Sequence, residues 1–169
     1  MNLILCGMMG AGKTTVGIKI AEKSNRRWYD TDEVITKRYG DISSIFAREG
    51  EAYFRGLETE TVQELSKQDG LVISVGGGLV LKEENVSLLK RKGKIFLLRA
   101  TKQTLLARLQ GDRNRPLLQG EERLEDRLES LLSTRGPIYE KVADFIVDVD
   151  GKTVAEIAEE ILAIALKNS

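Results

Sequence analysis

A glycine-rich loop directly after an apolar run constrains this chain more than any other stretch of its sequence. Residues 7–15 read GMMGAGKTT and follow the run NLILC. Gly7, Gly12, Lys13 and Thr14 fit the pattern G-x-x-x-x-G-K-[ST], in which a loop joins a buried strand to a helix. Glycines let backbone N–H groups turn toward one point, and a helix N-terminus adds partial positive charge. The stretch therefore predicts an anion-binding P-loop that leads into a helix.

The anion expected at this loop is the triphosphate of a nucleotide. Lys13 is predicted to reach the β- and γ-phosphates, and the Thr14 hydroxyl to bind Mg²⁺. A glycine-rich turn with an exposed lysine is the alternative, but the coincidence of motif, strand and helix favours the phosphate site. The loop alone does not show whether the nucleotide is hydrolysed, used to drive movement, or used to phosphorylate a small molecule. The N-K-x-D element for guanine is absent from the sequence, and a motor or transporter ATPase needs a longer chain.

Short apolar runs predict the strands of a sheet. They lie at residues 3–6, 27–30, 71–75, 94–98 and 144–149. Segments with helical spacing separate these runs, which favours a parallel sheet covered by helices on both faces. The clearest helix is the last one, for which Thr153 is the expected cap. Its apolar stripe consists of Val154, Ile157, Ala158, Ile161, Leu162 and Ala165.

Two stretches interrupt the alternation of strands and helices. A helical insertion at about 33–68 separates the second strand from the third. The polar, arginine-rich stretch 110–122 is long for a connection, and we expect it to be a mobile lid. With 169 residues and no linker, the chain is expected to form one domain over residues 1–169.

The overall composition argues against several classes of partner. The 26 basic and 26 acidic residues cancel, so we expect neither nucleic acid nor a membrane surface as a partner. The sequence shows no export leader and no apolar run of membrane-spanning length, and its single cysteine, Cys6, suits a reducing compartment. A cytoplasmic location is therefore expected. Histidine is absent, so any proton transfer needs carboxylates, lysines or tyrosines.

An acidic pair ends the second predicted strand. Asp30 and Asp32 lie two residues apart in YDTD, and strand geometry would point both side chains the same way at the sheet edge where open α/β folds bind ligands. One carboxylate could hold Mg²⁺ through water while the other meets an acceptor hydroxyl. The alternative is a helix cap supplied by Thr31 or Asp32.

Two further motifs suggest an acceptor site. The run VGGGL at residues 75–79 permits close approach of a ligand to the backbone, although a flexible strand-to-helix turn is also possible. Arg55 and Glu58 are neighbours on a predicted helix, where Glu58 could orient Arg55 toward a ligand carboxylate or form a surface ion pair. Arg115 in RPLL and Arg135 in TRGPIY each lie close to a proline.

Taken together in this order, these motifs resemble those of the shikimate kinase family. The similarity covers essentially the whole chain and includes LILCGMMGAGKTTVG, YDTD, IFAREGEAYFRGLE, VISVGGGLV, RNRPLL and RGPIYEKVAD. The resemblance implies a three-layer α/β P-loop fold of the nucleoside-monophosphate-kinase type, with a five-stranded parallel sheet in the order 2-3-1-4-5. It also implies ATP-dependent phosphorylation of the 3-hydroxyl of shikimate, giving shikimate 3-phosphate and ADP, in the route to chorismate and the aromatic amino acids.

The resemblance also implies a ligand for each matched residue. The ATP-binding residues would be Gly10, Ala11, Gly12, Lys13, Thr14, Thr15, Arg108 and Arg115. The shikimate-binding residues would be Asp32, Arg55, Gly77, Gly78 and Arg135. Mg²⁺ would be bound by Thr14, with Asp30 assisting through water, and the catalytic groups would be Asp32, Lys13 and Arg115. Arg115 is similar to a lid arginine, and Arg108 to a residue that packs on adenine. A monomer is expected.

Two positions depart from the family pattern. Ile18 stands where a basic residue is usual. Gly56 stands where many relatives carry a second arginine, and a glycine inside a helix costs about 1 kcal/mol relative to alanine.

Two other functions compete with this one. The triple glycine and the F-R-x-x-E helix argue against another small-molecule kinase on this scaffold, such as one for gluconate or a nucleoside monophosphate. A nucleotide-dependent regulatory switch would not need Arg55, Asp32 and Arg135 to converge.

Overall fold

The computed structural model describes residues 1–110 and 123–169. The predicted lid at 110–122 lies outside this part of the chain apart from Gln110, and so does Arg115.

Five parallel strands form the central sheet, in the order β2-β3-β1-β4-β5. The strands are β1 (Asn2–Cys6), β2 (Arg27–Asp30), β3 (Leu71–Ser74), β4 (Gly93–Arg99) and β5 (Phe145–Asp148). The predicted fold class and strand order are confirmed, and each strand was placed within two residues of its observed bounds. β1 lies in the middle with every residue buried, which explains why its sequence is a continuous apolar run.

Helices connect the strands and cover the sheet. The first four are α1 (Lys13–Ser24), α2 (Thr31–Tyr39), α3 (Ile42–Glu49) and α4 (Glu51–Leu65). The remaining four are α5 (Glu83–Lys90), α6 (Lys102–Gln110), α7 (Leu124–Val142) and α8 (Val154–Lys167), and a short 3-10 helix spans Leu79–Leu81. In the described ranges, no helix combines the length and the apolar character needed to cross a membrane.

The last helix shows how its sequence fixes its start and its buried face. Thr153 caps α8 as predicted: its hydroxyl accepts from the backbone N–H of Glu156, and the Glu156 side chain accepts from the backbone N–H of Thr153. The buried stripe consists of Ile157, Ala158, Ile161 and Ala165. Val154, predicted as part of that stripe, is exposed. It is the first residue of the helix and therefore lies beyond the packed turns.

The helical insertion between β2 and β3 has a small apolar cluster of its own. Ile35 of α2, Ile45 of α3 and Phe54 and Leu57 of α4 are buried together. The rings of Phe46 and Phe54 pack with their centroids 5.0 Å apart. This cluster holds the three helices against one another and so fixes the orientation of α4. Arg55 lies between Phe54 and Leu57 in the same turn of that helix.

Gly56, in the second turn of α4, is exposed, and a Cβ atom at this position would meet nothing within 4 Å. Gly56→Ala should therefore raise the free energy of unfolding by about 0.5–1 kcal/mol, because alanine loses less conformational entropy on folding. Thermal unfolding should show a gain of roughly 2–4 °C.

Gly40 is the matched control. It is equally open to a Cβ atom, but its φ of 93° is strained for any L side chain. Gly40→Ala should lower the melting temperature. A Gly56→Ala variant that melts below the wild type would show that the flexibility of this turn is not what limits the stability of α4.

Candidate active site

The site forms where the carboxyl ends of β2, β3 and β1 meet. Asp30 pairs in register with Ser74, which pairs with Leu5, so the loops after these strands leave the sheet at one level. The P-loop follows β1, the acidic segment follows β2, and the glycine run follows β3. This arrangement brings together motifs that are as far as 60 residues apart in the sequence.

The P-loop has the strand–loop–helix geometry predicted for it. Gly10 and Gly12 have φ values of 85° and 100°, which favour glycine, and α1 begins at Lys13. The loop is closed by the Lys13 side chain, whose Nζ donates to the carbonyl oxygen of Gly7 over 2.7 Å. The lysine ammonium therefore lies over the loop, beside the first backbone N–H groups of α1, where a phosphate group would neutralise it.

The backbone of Lys13 is also held from the sheet. The Ser74 hydroxyl donates to the Lys13 carbonyl oxygen over 2.7 Å, and it accepts from the indole N–H of Trp28 over 3.0 Å. Gly17 leaves room for this contact, since a Cβ atom there would lie 2.6 Å from both Ser74 Oγ and Trp28 Nε1. The sequence analysis did not identify Ser74 or Trp28, because no motif marks them.

Asp30 connects the end of β2 to the P-loop. Its Oδ1 accepts from the backbone N–H groups of Asp32 and Glu33, at 2.9 and 3.2 Å, so Asp30 caps α2. Its Oδ2 accepts from the Thr14 hydroxyl over 3.3 Å. The alternative in which Thr31 or Asp32 supplies the helix cap is wrong, because Asp30 is the cap. Thr31 and Asp32 are already the first two residues of the helix, so they leave the strand alternation that was expected to align Asp30 with Asp32.

Asp32 nevertheless lies at the centre of the site. A Cβ atom at position 76 would lie only 2.8 Å from Asp32 Oδ1, so the carboxylate packs directly against the backbone after β3. Burial raises the pKa of Asp32, and the charge of Asp30 raises it further, whereas Lys13 and Arg55 lower it. The carboxylate is therefore close to cations from both the P-loop and α4.

The three glycines after β3 each lie against a different charged side chain. A Cβ atom would come within 2.8 Å of Asp32 at Gly76, 3.0 Å of Arg135 Nη1 at Gly77, and 2.6 Å of Arg55 Nη1 and Nη2 at Gly78. None of the three has a positive φ. The run therefore does not serve a turn that only glycine can adopt. It provides bare backbone that charged side chains can approach.

Arg55 is oriented by a buried carboxylate. Its Nη1 lies 2.6 Å from Glu58 Oε1, and the Glu58 side chain is only 1% exposed. A second, longer contact of 3.5 Å joins Arg55 Nη2 to Glu51. Burial raises the pKa of Glu58, and the hydrogen bond from Arg55 opposes that rise. The pair is therefore partly buried and fixed in orientation, unlike the surface ion pair that the sequence left open.

Arg135 approaches Gly77 from α7, together with Tyr139 one turn further along the helix. The Tyr139 hydroxyl donates to the Gly77 carbonyl oxygen over 2.6 Å, and Tyr139 is 2% exposed. Sequence analysis identified Arg135 but gave Tyr139 no role, since a tyrosine on an amphipathic helix is commonly a packing residue.

Arg108, predicted to pack on adenine, lies on the P-loop side of the site. Its Nη1 donates to the Gly10 carbonyl oxygen over 3.0 Å. This contact places the guanidinium next to the loop, and the adenine contact remains a prediction. Within residues 1–110 and 123–169, no group of three or more His, Cys, Asp or Glu side chains could by itself hold a metal ion. A metal here would need oxygen ligands from elsewhere, such as a hydroxyl, water and phosphate.

These groups divide into two halves with different chemistry. The P-loop, with Lys13 and Thr14, offers N–H groups, an ammonium and a hydroxyl, which suit a phosphate chain. The glycine run, with Arg55 and Arg135, offers two guanidinium groups, which suit a carboxylate. The Asp32 carboxylate lies near both, where it can accept a hydrogen bond from a hydroxyl.

Comparisons with known proteins identify the family to which the chain belongs. The family model described as shikimate kinase matches residues 9–165. A shikimate kinase from Thermodesulfovibrio yellowstonii is 46% identical over 162 residues, which cover 95% of this chain and 92% of that protein. The structure of a shikimate kinase from Acinetobacter baumannii in complex with shikimate superimposes with a TM-score of 0.92 at 38% identity, covering 99% of this chain and 94% of that one. This chain therefore belongs to the shikimate kinase family.

Proposed function

We propose that this chain transfers the γ-phosphoryl group of ATP to the 3-hydroxyl of shikimate, giving shikimate 3-phosphate and ADP, in the pathway to chorismate and the aromatic amino acids. The observation that carries the proposal is the meeting of Asp32, Arg55 and Arg135 on the bare backbone of Gly76–Gly78, beside the P-loop lysine. A phosphate donor and a carboxylate-bearing acceptor can then be bound side by side.

The P-loop half binds ATP in this proposal. Backbone N–H groups of Gly10–Thr15 surround the phosphates, and Lys13 exchanges its bond to the Gly7 carbonyl for bonds to the β- and γ-phosphates. Arg108 lies beside the same loop and contributes positive charge. Arg115 is assigned to the phosphates only by its position in RPLL, outside the described residues, and that role remains a prediction.

A magnesium ion fits next to Thr14. The Thr14 hydroxyl and the Asp30 carboxylate are oxygen ligands 3.3 Å apart, which is the ligand type that Mg²⁺ prefers. Thr14 would bind the ion directly, and Asp30 through water, because Oδ1 of Asp30 is already used as the cap of α2. When bound, the ion neutralises negative charge on the phosphates.

The glycine-run half binds shikimate. Arg55 of α4 and Arg135 of α7 lie against Gly78 and Gly77, so a carboxylate placed between them could accept from both guanidinium groups. No acceptor in residues 1–110 or 123–169 takes the amide hydrogens of Gly77 and Gly78, which leaves these two donors for the same carboxylate. The ring hydroxyls then extend toward Asp32.

Asp32 orients the attacking hydroxyl and accepts its proton. Its pKa is raised by burial and by Asp30, which makes the carboxylate a better base than an exposed aspartate, while Lys13 and Arg55 keep it from being protonated too easily. Phosphoryl transfer depends mainly on positioning and on neutralising charge. Lysine, arginines and one carboxylate therefore suffice in a chain that contains no histidine.

A coupled assay of ADP release tests the function. Shikimate should support turnover, whereas quinate, gluconate and AMP should support little or none. A protein that turns over gluconate or AMP instead would be a different kinase on this scaffold, and one that binds ATP without turnover on any acceptor would fit the regulatory alternative.

Lys13→Ala should abolish this turnover and leave the fold intact, because the ammonium is bonded to a carbonyl oxygen of the loop and its charge is proposed to act on the phosphates. Lys19→Ala is the matched control on the same helix, since its surface pair with Glu22 contributes little. Both variants are measured at saturating MgATP alongside circular dichroism. Near-native turnover in Lys13→Ala would contradict the assignment of the P-loop.

Asp32→Asn should lower kcat by roughly 10²- to 10⁴-fold, the usual contribution of a general base, while the KM for ATP changes by only a few fold. Asparagine keeps the shape but removes the charge. Retained kcat with an altered dependence on Mg²⁺ would instead make Asp32 a metal residue and Asp30 the acceptor-side carboxylate.

The same carboxylate should set the acid limb of the pH profile. Because the pKa of Asp32 is raised, kcat/KM should fall as pH decreases through a value above that of an ordinary aspartate. Asp30→Asn keeps a side chain that can cap α2 but removes a neighbouring negative charge, so it should shift this limb to lower pH.

Arg55→Ala and Arg135→Ala should each raise the KM for shikimate by about 10- to 100-fold, the range for a lost hydrogen bond to a charged group, and change the KM for ATP much less. Arg91→Ala removes an exposed arginine at the end of α5 and is the control. Equal weakening of both substrates would point to a nucleotide role or to damaged folding.

A further inference from the structure

Tyr139 has no role in the two halves of the site described above, although its hydroxyl contacts the glycine run of the acceptor half. It is 2% exposed and lies on α7, four residues after Arg135, so the two side chains point from the same face of the helix. Its hydroxyl donates to the Gly77 carbonyl oxygen over 2.6 Å. A residue needed only for packing would not require this hydroxyl.

The hydroxyl and the Arg135 guanidinium meet at the same point of the backbone. A Cβ atom at Gly77 would lie 3.0 Å from Arg135 Nη1 and 3.4 Å from Tyr139 Oη. A phenol has one hydrogen, and Tyr139 gives it to the Gly77 carbonyl, so its oxygen can only accept from other groups. A guanidinium can only donate, and therefore the two groups are complementary.

The protonation state supports the same arrangement. Burial raises the pKa of Tyr139, while the positive charge of the nearby Arg135 guanidinium lowers it. Burial dominates, so the phenol keeps the hydrogen that it donates to Gly77. The interaction with Arg135 is then that of a neutral acceptor with a cation, which leaves the positive charge of Arg135 available to a ligand.

The bond to Gly77 also fixes a backbone donor. The carbonyl of Gly77 and the N–H of Gly78 belong to one planar trans peptide unit, in which they point in opposite directions. Because Tyr139 holds that carbonyl on the α7 side, the Gly78 N–H must point away from α7. Gly78 is also the glycine against which the Arg55 guanidinium packs.

We propose that Tyr139 is a positioning residue for the acceptor carboxylate, whose hydroxyl sets the directions of the Arg135 guanidinium and the Gly78 amide at once. The inference rests on the proposed function, since it assumes that these two groups bind the carboxylate of shikimate. Tyr139 itself touches neither substrate. Glycine has no side chain that could hold its own peptide plane, and a hydrogen bond from outside the run supplies that restraint.

The test uses Tyr139→Phe, which keeps the ring and removes only the hydroxyl. The KM for shikimate should rise about 2- to 10-fold, as expected for one buried hydrogen bond, while the KM for ATP stays within twofold and kcat falls less than kcat/KM. Tyr39→Phe is the matched control, because it removes a hydroxyl bonded to Glu60 at an exposed position. Assays are run at a temperature at which circular dichroism shows both variants fully folded.

A second readout separates positioning from a general loss of fit. The ratio of kcat/KM for shikimate to kcat/KM for its carboxamide analogue measures how well the site recognises the carboxylate. This ratio should fall in Tyr139→Phe and stay at the wild-type value in Tyr39→Phe. In an Arg135→Ala background, Tyr139→Phe should lower the ratio by a smaller factor, because one of the groups it positions is gone.

Three outcomes would overturn the inference: an unchanged ratio in Tyr139→Phe, an equal rise in the KM for ATP, or a fully additive effect in the Arg135→Ala background. These are distinct from failure of the proposed function. If the wild type does not phosphorylate shikimate, both proposals fail, whereas an active wild type with an unaffected Tyr139→Phe variant contradicts only the role of Tyr139.

Discussion

The organisation of the site depends on the close approach of charged side chains to a backbone that carries no side chains of its own. Asp32, Arg135 and Arg55 come from three different helices, and each lies against one glycine of the run that follows β3. A single methyl group at any of these positions would force a charged side chain to move. The charges can therefore be gathered without a charged side chain in β3, which remains wholly buried.

Gathering charge in this way has an energetic cost, and the neighbouring residues offset it. A buried carboxylate is stable only with a close partner, and Glu58 has one in Arg55 at 2.6 Å. Burial raises the pKa of both carboxylates, and the charge of Asp30 adds to the rise at Asp32. Glu58, which orients Arg55, thus has its partner within the protein, whereas Asp32 is the carboxylate proposed to act on substrate.

Some of this arrangement was predictable from the sequence, and the remainder depends on contacts that no local pattern encodes. The P-loop and the strands follow from apolar runs and glycine spacing, and the strand order came from the family resemblance. The expectation that Asp30 and Asp32 share one face of a strand was wrong, because the strand ends at Asp30. Asp30 caps a helix that begins at Thr31, so Asp32 is already helical. Ser74 and Tyr139 act through single hydrogen bonds to distant backbone carbonyls, at Lys13 and Gly77, which only the assembled fold brings within reach.

The hydrogen bonds that join Trp28, Ser74 and Lys13 have an optical consequence. The chain contains one tryptophan, so its indole emission arises from a single, half-buried site. That indole is connected through one serine hydroxyl to the backbone of the P-loop lysine. A ligand that shifts the Lys13 carbonyl should change the surroundings of the indole N–H, so the native fluorescence should follow the phosphate loop without a label.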